Sequence, residues 1–280
     1  MTGLRRSHSL DLLLKASNLP RSVYYYWAKS AGESTPYAAE KQAIARIFHE
    51  HRGRYGYRRI TLALKAQGQP LNHKTVQKLM GQLNLKSLVR PKRYQSYRGQ
   101  IGRVADHILC RNFEANQPHE KWVTDVTEFN VRGEKVYLSP VLDLYNQEII
   151  SYEIGSRPHY GMVQKMLDTA IARLNPDQTP MIHSDQGWQY QTTKFRQSLK
   201  DRGITQSMSR RGNCLDNAVI ENFFGMLKSE FFYTQKFESV TAFVAGLREY
   251  IHYYNHDRIK QKLNGLSPVN YRTQGALVEA

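Results

Sequence analysis

The apolar pattern of the chain changes its period near residue 120, and this change limits the folds that are open to it. Ahead of that point apolar residues recur at helical spacing, and beyond it short strand-like runs alternate with amphipathic helices. Three strands followed by alternating helices and strands predict an α/β body with mixed pairing, preceded by an all-α region. Pro140 lies inside the second strand and predicts a bulge there. The expected strands are 121–129, 135–144, 148–154, 181–185 and 205–209, and the expected helices are 163–174, 193–202, 217–231 and 241–256.

The first third of the chain predicts several short helices. Two are expected within 9–29, broken at Asn18-Leu19-Pro20, and two more at 38–51 and 58–67. Another helix should begin after Asn72, whose side chain is a suitable N-cap. The last two helices, joined by a short turn that contains Gly68, have the outline of a helix-turn-helix with a basic second helix. Its candidate DNA contacts are Arg54, Tyr57, Arg58, Arg59, Lys74, Thr75, Gln77 and Lys78.

The net positive charge of the chain comes entirely from this first third. Residues 1–105 hold 20 basic and 4 acidic side chains, and residues 106–280 hold 20 of each. The whole net charge of +16 therefore belongs to residues 1–105. Such a region is suited to a polyanion. The segment 86–103 has no acid at all, and we interpret it as a linker or arm that contacts phosphates, the alternative being a solvated run of charge. Its main candidates are Lys92, Arg93 and Arg98, beside Tyr94 and Tyr97.

The composition also excludes several classes of protein. No apolar run approaches the roughly 18 residues of a membrane span, and the N-terminus makes a poor signal peptide. Cys110 and Cys214 form no CxxC pair, which excludes a disulfide scaffold and a cysteine-rich zinc finger. We therefore expect a cytoplasmic protein without a membrane partner.

Three carboxylates stand out in the α/β part. Asp125 lies in a strand, where aspartate is depleted, unless that strand is a solvated edge. Asp185 ends a strand, where open α/β sheets place their sites, although a simple turn aspartate would look the same. Glu221 lies at the edge of the buried stripe of a helix, with Lys228 two turns further on. If the three converge, their repulsion calls for a divalent cation, and oxygen ligands favour Mg²⁺ or Mn²⁺.

Two such ions would clamp the attacking and leaving oxygens of a phosphoryl displacement. Together with the basic front region, the carboxylates predict metal-assisted cutting or joining of nucleic acid. The loop 210–217 is a basic, glycine-containing approach to a helix N-terminus, and it adds Arg210 and Arg211 as candidates for DNA contact.

Several neighbouring residues have a structural interpretation as well as a functional one. We expect Asp143 to be structural, Glu128 to be on the surface, and Asp216 and Asn217 to cap the helix that carries Glu221. His183 is either a core histidine or a phosphate contact. Trp188 and Tyr190 either pack their turn or stack on an unpaired base.

The three carboxylates lie in sequence blocks that resemble those of a known family. The blocks are 122–127, 183–187 and 212–224, with 35 residues between Asp185 and Glu221. They are similar to the DDE signature of integrase-like transposases, in a bacterial insertion-sequence family whose enzyme is made by frameshifting between two overlapping reading frames. Lys228 matches the basic position seven residues after the glutamate of that family. The segments 50–85 and 253–271 resemble its second helix-turn-helix and its C-terminal block.

The resemblance implies an RNase H-like mixed-sheet catalytic core preceded by an all-α helix-turn-helix region. Asp125, Asp185 and Glu221 would hold two Mg²⁺ ions, with Mn²⁺ as a substitute. Water would free a 3′-OH at the end of the element, and that hydroxyl would attack a second phosphodiester.

The resemblance also implies partners. They are double-stranded DNA, as element ends and target, other copies of the chain in an oligomer on DNA, and the product of the upstream frame, this chain being similar to the downstream product. Two other functions stay open: a DNA-binding regulator without catalysis, and an RNase H-like nuclease that does not join strands. The expected domains are a helical segment at 1–35, the helix-turn-helix at 36–85, an arm at 86–115, the catalytic core at 116–235, and a C-terminal helix and tail that pack on it at 236–280.

Overall fold

A computed structural model describes residues 8–25, 37–89, 108–109, 112–210 and 214–278. The chain divides into two compact units, Met1–Lys86 and Ser87–Ala280. The division agrees with a change from helices to a sheet, whereas the finer domain boundaries stay a prediction. Lys92, Arg93, Arg98 and Arg211 lie outside the described residues.

The first unit is helical. Its helices are α1 (Leu10–Ser17), α2 (Ala38–Glu50), α3 (Tyr57–Ala66) and α4 (His73–Gln82), and a further helical stretch covers 21–25 after the predicted break. Asn72 caps α4 as expected, because its side chain accepts a hydrogen bond of 2.9 Å from the backbone N–H of Lys74. Gly68 has a φ of 76° at the end of α3, a conformation that favours glycine. The helices α2, α3 and α4 contribute buried apolar side chains to the core of this unit, among them Ile44, Ile47, Ile60, Leu64 and Val76.

The second unit is built on a six-stranded mixed sheet. Its strands are β1 (Lys121–Thr124), β2 (Thr127–Val131), β3 (Glu134–Asp143), β4 (Ile149–Gly155), β5 (Met181–Ser184) and β6 (Thr205–Met208). The long strand β3 pairs antiparallel with β1, β2 and β4. The strands β1, β5 and β6 pair in parallel. The predicted α/β body with mixed pairing is thus confirmed.

The first predicted strand, 121–129, is wrong as one continuous element. It is interrupted after Thr124 and resumes at Thr127, and both parts keep the same register along β3. That register puts residue 125 opposite Pro140 and residue 126 opposite Ser139. Proline has no N–H to donate to a ladder. The carbonyl of Pro140 instead accepts a hydrogen bond of 2.8 Å from the Thr124 hydroxyl. Asp125 is therefore at the end of a strand, not in the middle of one.

The bulge predicted at Pro140 lies slightly further on. The register between β3 and β4 shifts between Val141 and Leu142, whereas Pro140 itself pairs with Tyr152. The proline is accommodated in the strand because its missing donor falls where β1 and β2 are interrupted.

Helices cover both faces of the sheet. On one face α5 (Tyr160–Ile171) and α6 (Thr193–Asp201) enclose an apolar cluster with Trp122 and Ile182. On the other face α7 (Ala218–Leu227) and α8 (Val240–His256) pack on Val123 and Phe129. The chain ends with α9 (Pro268–Val278). No helix among the described residues is long and apolar enough to cross a membrane.

The helix predicted at 217–231 is shorter than expected and changes type. After α7 the chain continues as a π-helical turn over Lys228–Phe232. Within that turn the carboxylate of Glu230 is buried and receives two hydrogen bonds from Arg258, of 2.8 Å from Nε and 2.6 Å from Nη2. The hydroxyl of Tyr250 donates a third, of 3.0 Å. This buried ion pair ties the end of α7 to the C-terminal part of the chain.

Candidate active site

Two of the three predicted carboxylates follow neighbouring parallel strands. Thr124, the last residue of β1, pairs with Ser184, the last residue of β5, so Asp125 and Asp185 are each the next residue along. Adjacent strands lie about 4.8 Å apart. Both aspartates are half-buried and lie at the carboxyl edge of the parallel strands, where α/β sheets place their sites.

Local hydrogen bonds hold both carboxylates. The Oδ1 atom of Asp125 accepts from the N–H of Val126 at 2.7 Å, and the Oδ1 atom of Asp185 accepts from the N–H of Gly187 at 2.9 Å. A Cβ atom at position 187 would lie 2.8 Å from that same Asp185 oxygen and 2.7 Å from the amide of Gln189. A side chain at position 187 would therefore displace the Asp185 carboxylate or the Gln189 amide, and glycine leaves both in place.

The third carboxylate lies in the first turn of α7. Glu221 is half-buried, beside the buried side chains of Ile220 and Phe223 that fix the helix on the sheet. Burial, and then the charge of Asp185, raise the pKa of Asp125 well above its usual range, and Glu221 adds to this effect. Burial also raises the pKa of Asp185. Ionisation of Asp125 is thus unfavourable beside the other two carboxylates.

The structure does not gather the three carboxylates around one point. Within the part of the chain that the structure describes, no three His, Cys, Asp or Glu side chains are close enough together to hold a metal ion as they stand. It brings Asp125 and Asp185 to one edge and leaves Glu221 within electrostatic reach of Asp125.

Lys228, which the sequence places two turns after Glu221, interacts electrostatically with Asp125. The Nζ atom of Lys228 is 5.4 Å from the centroid of the Phe129 ring. Burial lowers the pKa of Lys228, and the carboxylates of Asp125 and Glu128 oppose this shift. Lys228 in turn lowers the pKa of Asp125, so it offsets part of the negative charge.

Of the two predicted caps of α7, Asn217 has the N-cap position, whereas Asp216 does not act as a cap. Asp216 is buried and receives hydrogen bonds of 3.1 and 3.2 Å from Nε and Nη2 of Arg210. Asn217 occupies the N-cap position but makes no capping hydrogen bond through its side chain. Arg210 therefore braces the loop before α7 through Asp216, and only its exposed part is open to DNA.

The candidate DNA contacts of the first unit differ in exposure. Arg54 is buried, which is against its prediction as a DNA contact. Tyr57 is half-buried and accepts a hydrogen bond of 3.2 Å from Nε of Arg58, and the guanidinium of Arg59 lies 5.6 Å from the centroid of the Tyr55 ring. On α4 the exposed candidates are Lys74, Gln77 and Lys78, with Thr75 half-buried. His73, exposed at the start of α4 and stacked on Tyr57, was not predicted, although its place at the N-terminus of the second helix was a usable signal.

The structure also gives the surroundings of the neighbouring residues that had a structural and a functional interpretation. Asp143 is buried and accepts from the N–H groups of His119 and Tyr145, at 2.8 and 2.9 Å, which is a structural role; burial raises its pKa to about 6. Glu128 is on the surface, as predicted. His183 is a core residue, with Nδ1 2.9 Å from the hydroxyl of Ser207. Tyr190 is buried in its turn, whereas Trp188 is exposed.

The raised pKa of Asp125 has a consequence for stability. In metal-free protein, Asp125→Asn should increase the free energy of unfolding at pH 7 by about 1 kcal/mol, because it removes a charge that burial and Asp185 disfavour. Folded protein binds a proton that unfolded protein releases between about pH 4 and the raised pKa, so the advantage should shrink as the pH falls through this range. Urea unfolding at several pH values measures it. Glu128→Gln, an exposed control, should give no such gain, and an unchanged or lower stability of Asp125→Asn would contradict the account.

Three family models match the chain. Residues 115–214 and 221–275 match integrase core domains, and residues 37–93 match an HTH-like domain. Among solved structures, the chain is similar to the HTLV-2 integrase catalytic core domain in complex with magnesium, with 15% identity, a TM-score of 0.46, and coverage of 57% of this chain and 99% of that one. The predicted mixed-sheet integrase-type core and the helix-turn-helix-like region before it are confirmed by the family models and the sheet topology.

Relatives carry the assignment further. The chain is 54% identical over 274 residues to the putative transposase InsK of insertion sequence element IS150 from Escherichia coli K12, which covers 98% of this chain and 97% of the relative. It is 29% identical over 272 residues to the transposase InsF of IS3A from the same organism, covering 95% and 94%. Fold and relatives together define a DNA transposase with an integrase-type core. The chain belongs to the IS3 family of insertion-sequence transposases, which includes IS150.

Proposed function

We propose that Asp125, Asp185 and Glu221 are the catalytic carboxylates with which this transposase cleaves DNA at the ends of its element and joins them to target DNA. The observation that carries the proposal is the position of Asp125 and Asp185 at the ends of two paired parallel strands, with pKa values raised by burial and, for Asp125, by the other two carboxylates. Carboxylates whose pKa values are raised by burial and by neighbouring charges are typical of functional sites.

The donor set fits divalent metal ions. All three side chains offer carboxylate oxygens, the ligands that Mg²⁺ and Mn²⁺ prefer. Lys228 is the cation that lowers the pKa of Asp125, and one ammonium group cannot neutralise three carboxylates. Asp125, Asp185 and Glu221 would hold two Mg²⁺ ions, for which Mn²⁺ would substitute. When bound, the ions neutralise charge and polarise phosphoryl oxygens.

The protein groups contribute mainly position and charge. The N–H groups of Val126 and Gly187 keep one oxygen of each aspartate fixed, which leaves the other oxygens for ligands. Lys228 contacts a phosphate of the bound DNA end. In the first reaction water attacks phosphorus and a 3′ oxygen leaves as a hydroxyl. In the second that hydroxyl attacks a target phosphodiester, so one phosphodiester bond forms as another breaks and no covalent protein intermediate is needed.

A strand-transfer assay tests this function. The full chain is incubated with Mg²⁺, a labelled element end that already carries its 3′-OH, and target DNA. Joined product is expected. Cleavage without joining would favour a nuclease, and binding without either reaction would favour a regulator.

The protein acts on double-stranded DNA as a homo-oligomer in the bacterial cytoplasm, with the upstream-frame product as a further partner. Transposition requires that two element ends are held while one target is attacked. A single chain with one site cannot hold both ends. Sizing of the chain with and without paired element ends, and with the upstream-frame product added, checks this assembly. A single chain per DNA end throughout would contradict it.

Binding by the first unit should depend steeply on salt, because phosphate contacts release counterions. Lys74→Ala and Lys78→Ala should each weaken binding and reduce the slope of log K against log salt by about 0.9, since both lysines are exposed on α4. Fluorescence anisotropy across a salt range of roughly 50 to 200 mM measures the slope. Lys165→Ala, which removes an exposed lysine paired with Glu153 at 2.9 Å, is the control and should leave it unchanged. A flat salt response of the wild type would contradict the DNA-binding role of residues 1–105.

A further inference from the structure

The side chain of Trp188 is 58% exposed, three residues after Asp185. Tryptophan is highly buried on average, and single exposed apolar residues need no explanation by themselves. Here, however, the exposed indole belongs to a residue three positions after a candidate catalytic carboxylate, in a protein that acts on DNA. Three residues of chain span at most about 11 Å. Successive bases of one strand are about 3.4 Å apart, so the backbone of Trp188 lies within about three nucleotide lengths of that of Asp185.

The turn that carries Trp188 is held on both sides. Gly187 donates its N–H to Asp185 at 2.9 Å, and the amide of Gln206 on β6 donates to the carbonyl of Tyr190 at 2.8 Å. The neighbours Gln189 and Tyr190 are both buried, and the Tyr190 ring packs edge-on against Phe195 at 5.5 Å. The short 3₁₀ turn Trp188–Gln191 thus turns its other aromatic side chain inward and Trp188 outward. An aromatic side chain on a fixed backbone loses little conformational freedom when it binds.

We propose that Trp188 is a stacking platform for an unpaired nucleobase beside the scissile phosphodiester. Stacking of a base on an aromatic ring contributes about 1–3 kcal/mol and accepts any base. Unpairing one base costs a few kcal/mol, so Trp188 offsets much of the cost of opening the end of the duplex at the carboxylates. The inference rests on the proposed function, because it requires the phosphodiester to be held at Asp185.

The test uses the full chain with Mg²⁺ and element ends that carry 2-aminopurine, a base whose emission is quenched by stacking, at each of the last three positions. On ends whose last three positions are unpaired, so that 2-aminopurine is not already stacked in a duplex, wild type should quench one of these positions, whereas Trp188→Ala should not. Trp188→Ala should also join a fully paired end about 10-fold or more slowly, within the range expected for one lost stack, and a mismatched end with a smaller loss. Trp188→Phe should restore most of the quenching and most of the joining rate. Tyr233→Ala, which removes an aromatic ring that is 54% exposed, is the matched control and should behave as wild type.

Equal quenching by Trp188→Ala and wild type, or an equal loss of joining on paired and mismatched ends, would overturn the inference. So would a Trp188→Ala protein whose oligomer is lost while quenching remains, since Trp188 would then contact protein. These outcomes are separable from failure of the proposed function: if Asp185→Asn joins ends normally, the catalytic assignment fails whatever Trp188 does.

Discussion

Asp125→Asn, Asp185→Asn and Glu221→Gln are each expected to slow strand joining by about 10³-fold or more, while DNA binding and folding survive. Loss of one group that stabilises charge in a phosphoryl transfer costs rates of this order. Each change keeps the size of the side chain, and in Asp125→Asn the amide oxygen can still accept the hydrogen bond from the N–H of Val126. Single-turnover joining of a pre-cut end measures the chemical step apart from binding.

The same experiment needs a carboxylate outside the site. Glu128→Gln is the matched control, because Glu128 is exposed on β2, three residues from Asp125, and bonds to Tyr137 and Lys135. It should join ends at the rate of wild type. Joining that persists in any of the three site variants would remove that residue from the catalytic set. Unfolding of the site variants would mean that these carboxylates are structural.

The sequence indicated which residues to examine, but not their mutual arrangement. The place of Asp185 at the end of a strand and that of Glu221 on a helix follow from local pattern, whereas Asp125 was expected inside a strand. The adjacency of Asp125 and Asp185 does not follow from local pattern, because the pairing of β1 with β5 joins segments 60 residues apart in the chain. Pairing of this kind depends on the packing of both helical layers, which periodicity does not encode.

The errors have local physical causes. The apolar alternation of 121–129 is continuous and predicts a single strand, and only the partner residue Pro140 explains the interruption at Asp125. Aspartate is a common capping residue, yet the carboxylate of Asp216 is bound by the guanidinium of Arg210. Arg54 has the charge of a DNA contact, but the elbow that contains it folds into the core of the first unit.

The π-helical turn after α7 also lies beyond what spacing can predict. Lys228 begins this turn and Glu230 lies within it, so the cation beside Asp125 and the buried ion pair share five residues, Lys228–Phe232. Turns of this type are rare and are often found at functional sites. The bond between Glu230 and Arg258 therefore supports the position of Lys228 as well as the fold.

Arg258→Ala is accordingly expected to lower the free energy of unfolding by about 3–5 kcal/mol, since it leaves the buried carboxylate of Glu230 without its cation. For a unit of this size we expect a fall in Tm of roughly 10 °C. Thermal and urea unfolding measure both. Lys135→Ala, which breaks an exposed pair of 3.2 Å with Glu128, should have little effect on stability and is the control.

The double variant Glu230→Gln/Arg258→Met separates a charge effect from a packing effect. It removes both charges and keeps both side chains of similar length, so it should be more stable than Arg258→Ala and than Glu230→Gln alone. The hydroxyl of Tyr250, which donates to Glu230 at 3.0 Å, can still donate to the amide oxygen that replaces the carboxylate. If the double variant is as unstable as the sum of the two single changes, the pair is not coupled, and the tie between α7 and the C-terminal segment depends on packing alone.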